Sequence, residues 1–107
     1  MLFRSIAELS RVAGLSRSRF TVLFTEQLKM SPQAYLEAAR LGRAADLLRA
    51  SHWSIAEIAE EVGYANPFYF STRFRRYFGT SPRRYRTHGP DDVPESSWAA
   101  RAIGDER

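Results

Sequence analysis

The stretch SIAEIAEEVGYANPFYF occupies residues 54–70, and a shorter variant of its beginning, SIAELSRVAGL, occupies residues 5–15. Each copy starts with a serine that has a glutamate three residues later, which is the capping box that begins many helices. Each copy also has a glycine nine residues after the serine, and glycine readily adopts the left-handed conformation that ends a helix. The stretch therefore predicts a short helix followed by a tight turn, and the sequence contains it twice.

The similarity between the two halves continues beyond the turn. The spacing between matched residues is 49 at the start (Ser5 to Ser54) and 50 later (Phe20 to Phe70), so one extra residue lies in the second turn, at Ala65 or Asn66. Because a short helix, a glycine turn and a second helix form a helix-turn-helix, the repeat predicts two such units. Further matched pairs are Phe24 and Phe74, Leu28 and Phe78, Ser31-Pro32 and Ser81-Pro82, and Tyr35 and Tyr85.

The remaining start and stop patterns extend this prediction to the whole chain. Ser-Pro and Asn-Pro pairs suit helix starts, because serine or asparagine caps the helix and proline fits its first position. No alternating strand pattern competes with the helical periodicity. We therefore predict an all-α fold of two helix-turn-helix subdomains joined by a long linker helix. The helices are expected near residues 5–13, 16–29, 32–50, 54–62, 67–78 and 82–87.

These helices predict one domain at residues 1–88 and a tail at residues 89–107. The first helix-turn-helix is expected at about 5–30, the linker helix at about 32–50, the second helix-turn-helix at about 54–79 and the final helix at about 82–87. The tail is acidic and turn-rich, so we expect it to be disordered or loosely attached. Its segment SSWAARAI, residues 96–103, could form a short helix.

The composition excludes several classes of function. The chain has no cysteine and two histidines, and it contains no zinc motif, phosphate-binding glycine loop or nucleophile elbow. We therefore expect no enzyme activity, no catalytic residue, no metal site and no cofactor. The absence of cysteine fits a reducing compartment, and no apolar run approaches the ~20 residues of a membrane helix. We expect a cytoplasmic protein without a membrane partner.

The charge is distributed unevenly along the chain. Residues 1–88 carry 14 Lys and Arg against seven Asp and Glu, whereas residues 89–107 carry two against five. The window 73–86 holds six arginines and no acid. A basic body indicates an anionic partner, with nucleic acid as the first candidate. A solvated surface and a basic helical protein-interaction module that binds an acidic protein remain alternatives.

The second helix of each copy has an outward face that carries no acid. In the first copy, Phe20, Leu23, Phe24 and Leu28 fall at helical spacing and predict the inward stripe. In the second copy, Phe70, Phe74 and Phe78 do the same. Such an outward face suits entry into the major groove of DNA, because it carries no charge that the phosphates would repel. The candidate DNA-binding residues are Arg17, Ser18, Thr21, Val22 and Thr25 in the first copy, and Phe68, Ser71, Thr72, Arg75 and Arg76 in the second.

Other residues are expected to serve phosphates or packing. Arg73 should lean toward the core and pair with Glu57 or Glu61, and Tyr69 should pack rather than read DNA. Helix N-termini and exposed arginines can hold phosphate oxygens. The candidate phosphate contacts are Ser16, Arg19, Ser54, Arg83 and Arg84.

These residues resemble the DNA-binding domain of the AraC/XylS family of bacterial transcription regulators. The resemblance is strongest in SIAEIAEEVGY and YFSTRFRRYFGTSPRRYR of the second copy, is looser in the first, and covers about residues 5–87. It implies two homeodomain-like three-helix units whose second helices insert into successive major-groove segments of double-stranded DNA. It also implies transcription regulation at a promoter, with activation as the expected sign, and RNA polymerase as a further partner.

The sequence departs from the family pattern at three points. Members often carry arginine where Val22 and Thr72 stand, so guanine readout is not expected there. Val22 would instead suit a thymine methyl, and Thr72 a base edge or a phosphate. Members usually have one more helix before the helix that begins here near Ser5. They usually also have an effector-binding or dimerising domain, and we expect no such domain within these 107 residues.

Overall fold

The computed structural model describes residues 6–97, and within this range the chain forms six α-helices, one short 3-10 helix and no strand. The all-α prediction is confirmed, and every predicted helix end that falls in this range agrees to within one residue. The capping box at Ser5 and the SSWAARAI segment from Trp98 onward lie outside the described residues. The helices are α1 (Ile6–Ala13), α2 (Arg17–Leu28), α3 (Pro32–Ala50), α4 (Ile55–Glu61), α5 (Pro67–Phe78) and α6 (Pro82–His88), followed by the 3-10 helix Gly89–Asp92.

The helices begin where polar side chains satisfy their first backbone N–H groups. The Ser54 hydroxyl accepts from the Glu57 N–H at 3.0 Å, and the Glu57 carboxylate accepts from the Ser54 N–H at 2.9 Å. These bonds lower the pKa of Glu57. At the start of α5 the Asn66 amide oxygen accepts from the N–H groups of both Phe68 and Tyr69. Removing such a cap typically lowers the stability of the protein by about 1 kcal/mol. The capping residues therefore determine where these helices begin.

The two copies end their second helix differently. After α5, Gly79 adopts a left-handed conformation with φ 78°, and its N–H bonds to the Arg75 carbonyl. The equivalent residue after α2 is Lys29, which has φ 60° and bonds in the same way to Thr25. A residue with a side chain pays about 1–2 kcal/mol for this conformation. The first copy therefore stores backbone strain at a position where the second copy does not.

The chain divides into two compact units, and the boundary falls after Arg40, inside α3. The first unit contains α1, α2 and the beginning of α3. Its described core consists of Ile6, Phe20 and Leu36, with Leu9, Leu15 and Phe24 packed against it. Leu28 was predicted on the inward stripe of α2, but 49% of it is exposed. That prediction is wrong because α2 ends at Leu28, so its last turn extends past the small core.

The second unit contains the rest of α3 together with α4, α5 and α6. The aromatic rings at its centre contact one another in sequence. The ring centroids are 5.8 Å apart for Phe70 and Phe74 and 4.4 Å apart for Phe74 and Phe78. The Tyr85 ring of α6 meets Phe74 edge-on at 5.6 Å. Leu41, Ala44, Ala45 and Leu48 of α3 and Ile58, Ala59 and Val62 of the α4 region complete this core.

Arg86 belongs to the basic window of the sequence but has a structural role. Its guanidinium donates to the backbone carbonyls of Leu48, Ser51 and Trp53 at 3.0, 3.4 and 2.6 Å. The last carbonyls of a helix have no partner within the helix. A positive charge at that end also interacts favourably with the helix dipole. Arg86 thus joins α6 to the end of α3.

Residues 89–97 are attached to the second unit, which corrects the prediction of a disordered or loosely attached tail over this range. The Asp92 carboxylate accepts from the Thr80 hydroxyl at 2.6 Å and from the Arg84 guanidinium at 3.2 and 3.3 Å. Val93 packs against the core, and Ser97 is buried. Composition predicted a solvated acidic segment, since it does not show which residues pair with Asp92. Those partners, Thr80 and Arg84, lie in the turn before α6 and in α6 itself. Residues 98–107 of the predicted tail lie outside the described part.

Acid should weaken this attachment. Hydrogen bonds from Arg84 and Thr80 lower the pKa of Asp92 to about 2, from an ordinary value of 3.8. The folded state therefore favours the carboxylate, and its contribution to stability is present above about pH 4 and is lost as the pH falls toward 2. We expect Asp92→Asn to flatten the pH dependence of urea unfolding between pH 2 and 4. The neighbouring variant Asp91→Asn is the control, and equal slopes for both variants would contradict the assignment.

The glycine after α5 should be sensitive to substitution. A Cβ on Gly79 would lie 2.5 Å from Pro94 Cγ in addition to its left-handed strain, so Gly79→Ala should destabilise the fold by more than about 1 kcal/mol. The same change at Gly42, inside α3 with open space around it, should stabilise by up to about 1 kcal/mol. Lys29→Gly should also stabilise, because it removes the strain after α2. Urea unfolding midpoints would measure all three variants, and destabilisation by Lys29→Gly would refute the strain argument.

Candidate nucleic-acid interface

The outward face of α2 is anchored by the residues on its other side. Phe20 is buried, and Leu23 and Phe24 are half-buried, so these side chains fix the rotation of the helix within its unit. The predicted residues Arg17, Ser18, Val22 and Thr25 are all exposed, and Thr21 is half-buried. The Thr21 hydroxyl donates to the Arg17 carbonyl at 2.9 Å. The five candidates of the first copy therefore lie together on one accessible face.

The outward face of α5 is fixed more firmly. Phe70 and Phe74 are fully buried, which leaves the opposite side of the helix toward solvent. Phe68, Thr72, Arg75 and Arg76 are exposed, and Ser71 is half-buried. The Thr72 hydroxyl donates to the Phe68 carbonyl at 3.0 Å. All five candidates of the second copy again share one face, and this face contains no acidic side chain.

Two neighbours of the α5 face were predicted to pack rather than to bind DNA. The Tyr69 ring lies 6.0 Å from the Tyr64 ring, centroid to centroid, although Tyr69 remains exposed. The ring contact is a packing interaction, and whether Tyr69 also contacts DNA stays a prediction. Arg73 is half-buried, as expected for a residue that leans toward the core. Its pairing with Glu57 or Glu61 stays a prediction.

The candidate phosphate contacts differ in their surroundings. Arg19 and Arg83 are exposed, and the Ser16 hydroxyl caps α2 by accepting from the Arg19 N–H at 3.2 Å. Arg84 is exposed but bonded to Asp92, which raises the pKa of Arg84 and partly neutralises its charge. The Ser54 N–H is already bonded to the Glu57 carboxylate. A phosphate at the start of α4 would meet that negative charge, so the structure argues against Ser54.

The comparisons with known proteins place this arrangement in a family. A family model described as a helix-turn-helix domain matches residues 9–88. A protein of Photobacterium leiognathi named as the probable transcriptional regulator LumQ is 38% identical over 82 residues, which is 77% of this chain and 33% of LumQ. A Chromobacterium violaceum transcriptional regulator described by its AraC-type DNA-binding domain superposes with a TM-score of 0.72 at 30% identity, over 79% of this chain and 76% of that structure.

The chain belongs to the AraC-type helix-turn-helix family. A further solved structure, the DNA-binding domain of AdpA, is described as a global transcriptional factor in complex with a target DNA. It superposes with a TM-score of 0.74 at 30% identity, over 80% of this chain and 78% of that chain. The chain spans about a third or less of the length of the curated relatives that it matches.

Within this AraC-type domain, the two predicted faces are accessible to solvent, and their role in DNA binding stays a prediction. Sequence patterns did not reveal the partners of two arginines. Arg84 and Arg86 were both counted as part of one basic window, yet Arg84 pairs with Asp92 and Arg86 caps α3. Asp92 lies eight residues from Arg84, and a carboxylate that follows a short helix could have suggested the first pair. The partners of Arg86 are 33–38 residues away, so no local pattern could have indicated the second role.

Two other kinds of site are not found in the described part of the domain. None of the helices between residues 6 and 97 is long and apolar enough to cross a membrane. The same residues contain no group of three or more metal-ligating side chains.

Proposed function

We propose that this domain binds double-stranded DNA in a sequence-specific manner and regulates transcription at promoters, with activation as the expected sign. The observation that carries the proposal is the outward face of α5. Phe68, Arg75 and Arg76 are exposed there with no acid among them, while Phe70 and Phe74 on the opposite side are fully buried. The AdpA domain, which superposes on this chain, was solved with its target DNA. Membership of the AraC-type family supports the same function.

The residues of the two faces can be divided into those expected to contact base edges and those expected to contact phosphates. The DNA major groove admits an α-helix, whose side chains can then reach the base edges. The candidates for contact with base edges are Ser18, Thr21 and Val22 in α2 and Phe68, Ser71 and Thr72 in α5. Arginines at the margin would meet phosphates, which fix the position of the protein without reading sequence. The candidates for this gripping role are Arg17, Arg19, Arg75, Arg76 and Arg83.

A regulator of this kind requires more than DNA. We propose RNA polymerase as a further partner, as the family resemblance implies, and a non-catalytic role in the cytoplasm, where bacterial promoters are located. An effector-binding or dimerising function would belong to residues outside this domain. The alternative of a basic helical protein-interaction module makes a distinct prediction, namely binding to an acidic protein with no dependence on duplex DNA.

Removing either arginine of α5 should weaken DNA binding. We expect Arg75→Ala and Arg76→Ala each to lower affinity severalfold, and to reduce the slope of log affinity against log salt by about 0.9 for each phosphate that the variant no longer neutralises. Fluorescence anisotropy with a genomic duplex pool at several salt concentrations measures both quantities. Arg43→Ala removes an exposed arginine from α3 and is the charge-matched control. Unchanged affinity and slope in both α5 variants would show that this face does not grip DNA.

The two copies should each recognise a short sequence. If both second helices enter the major groove, sites selected from random duplex DNA should contain two motifs about 10 base pairs apart, since that is one helical turn. Phe68→Ala should blur one motif, and Val22→Ala the other. A single motif that only Phe68→Ala affects would mean that the first unit binds the backbone without reading bases. No enrichment of any motif would contradict sequence-specific binding.

A further inference from the structure

We propose that Val22 and Phe68 recognise the C5-methyl groups of pyrimidines in the major groove. Each unit would then prefer a thymine at one defined position, and a 5-methylcytosine would supply the same methyl group. This inference rests on the proposed function and specifies the chemistry that its two faces read.

The first observation is the exposure of Val22 on a face that is otherwise polar. Val22 is 55% exposed, and it lies on α2 one turn from Ser18 and from Thr25. The Thr21 hydroxyl donates to a carbonyl of its own helix, so in this arrangement it does not offer its proton to a base. An apolar isopropyl group is therefore the prominent feature of the middle of this face.

The second observation is Phe68, which is 83% exposed. The other phenylalanines of α5 form the core of the second unit, so packing accounts for them but not for Phe68. Its backbone is held firmly, because Pro67 begins the helix and Asn66 accepts the Phe68 N–H at 2.8 Å. A large apolar ring is thus presented to solvent from a fixed first helical turn, which favours a role in contact with a partner.

The charges around both side chains indicate what that partner is. Arg17 lies on the same face as Val22, and Arg75 and Arg76 lie on the same face as Phe68. Neither set of candidate residues includes an acid, and the exposed Glu26 lies at the flank of the α2 face, one turn from Val22. A polyanion therefore fits better than an apolar protein groove. On the major-groove edges of DNA, the apolar group is the C5-methyl of thymine, which phenylalanine and the methyl groups of alanine and threonine contact. The isopropyl group of valine offers methyl groups of the same kind. An arginine at either position 22 or position 72 would favour guanine. Val22 and Thr72 stand there instead.

The experiment replaces each thymine of a selected binding duplex, one at a time, by deoxyuridine, which differs only in the missing methyl. At one thymine in each half of the site we expect affinity to fall by about fourfold, the value for removing one buried methyl-sized group. The Val22→Ala and Phe68→Ala variants should each lose this effect at their own thymine and keep it at the other. Val12→Ala truncates a valine that is 70% exposed on α1, a helix outside the proposed reading faces of α2 and α5, and should leave both effects intact.

A second series distinguishes the two sources of the methyl group. At the same two positions the T·A pair is replaced by C·G, and then by 5-methylcytosine paired with G. If the side chains contact the methyl itself, methylation should restore about fourfold of the affinity that cytosine loses. If thymine is preferred through its pairing or the local shape of the duplex, methylation should change nothing, and the methyl inference is overturned.

The remaining outcomes separate this inference from the proposed function. If deoxyuridine is tolerated at every position while Arg75→Ala still weakens binding, the domain binds DNA but does not read methyl groups. If the deoxyuridine effect persists unchanged in both the Val22→Ala and Phe68→Ala variants, other residues read the methyl and the assignment is wrong. If no duplex is bound under any condition, both the inference and the proposed function fail.

Discussion

The orientation of α5 depends on the contact between the rings of Phe70 and Phe74, whose centroids are 5.8 Å apart. Both side chains are fully buried, and their neighbours come from α3, from the α4 region and from Tyr85 in α6. A helix has 3.6 residues per turn, so burying residues four positions apart fixes the rotation of α5. The direction of Phe68, Thr72 and Arg75 follows from that rotation. The face proposed to read DNA is thus set by residues that never reach the partner.

The first unit has the same arrangement of helices but a smaller described core. Its described core has Phe20 at the position of Phe70, but the equivalents of Phe74 and Phe78 are a half-buried Phe24 and an exposed Leu28. It also has the left-handed Lys29 where the second unit has Gly79. Local stability varies with buried apolar contacts and strain, so α2 should open more readily than α5. A less stable reading helix adapts more easily to its partner but loses more conformational freedom on binding.

Local sequence patterns predicted those parts of the structure that depend on near neighbours. Caps such as Ser54 with Glu57, the helix bounds and the two outward faces all follow from residues within one or two turns of each other. The errors occur where the partner lies further away or where a helix ends. Residues 89–97 were expected to be loosely attached, because the bonds of Asp92 to Thr80 and Arg84 cross from one element to another. Leu28 has the right spacing for burial, but periodicity does not tell how far the core extends.

Reading methyl groups has a consequence for the architecture of the domain. A bidentate arginine discriminates its base pair by about 1–3 kcal/mol, whereas one buried methyl contributes about 0.8 kcal/mol. A single helix that relied on Val22 or Phe68 would therefore select its target weakly, and most of its affinity would come from phosphates. Contributions from separate positions in a site are roughly additive. A second reading helix on the same chain is a direct way to recover specificity, and the repeat that begins at Ser54 supplies it with a different set of side chains.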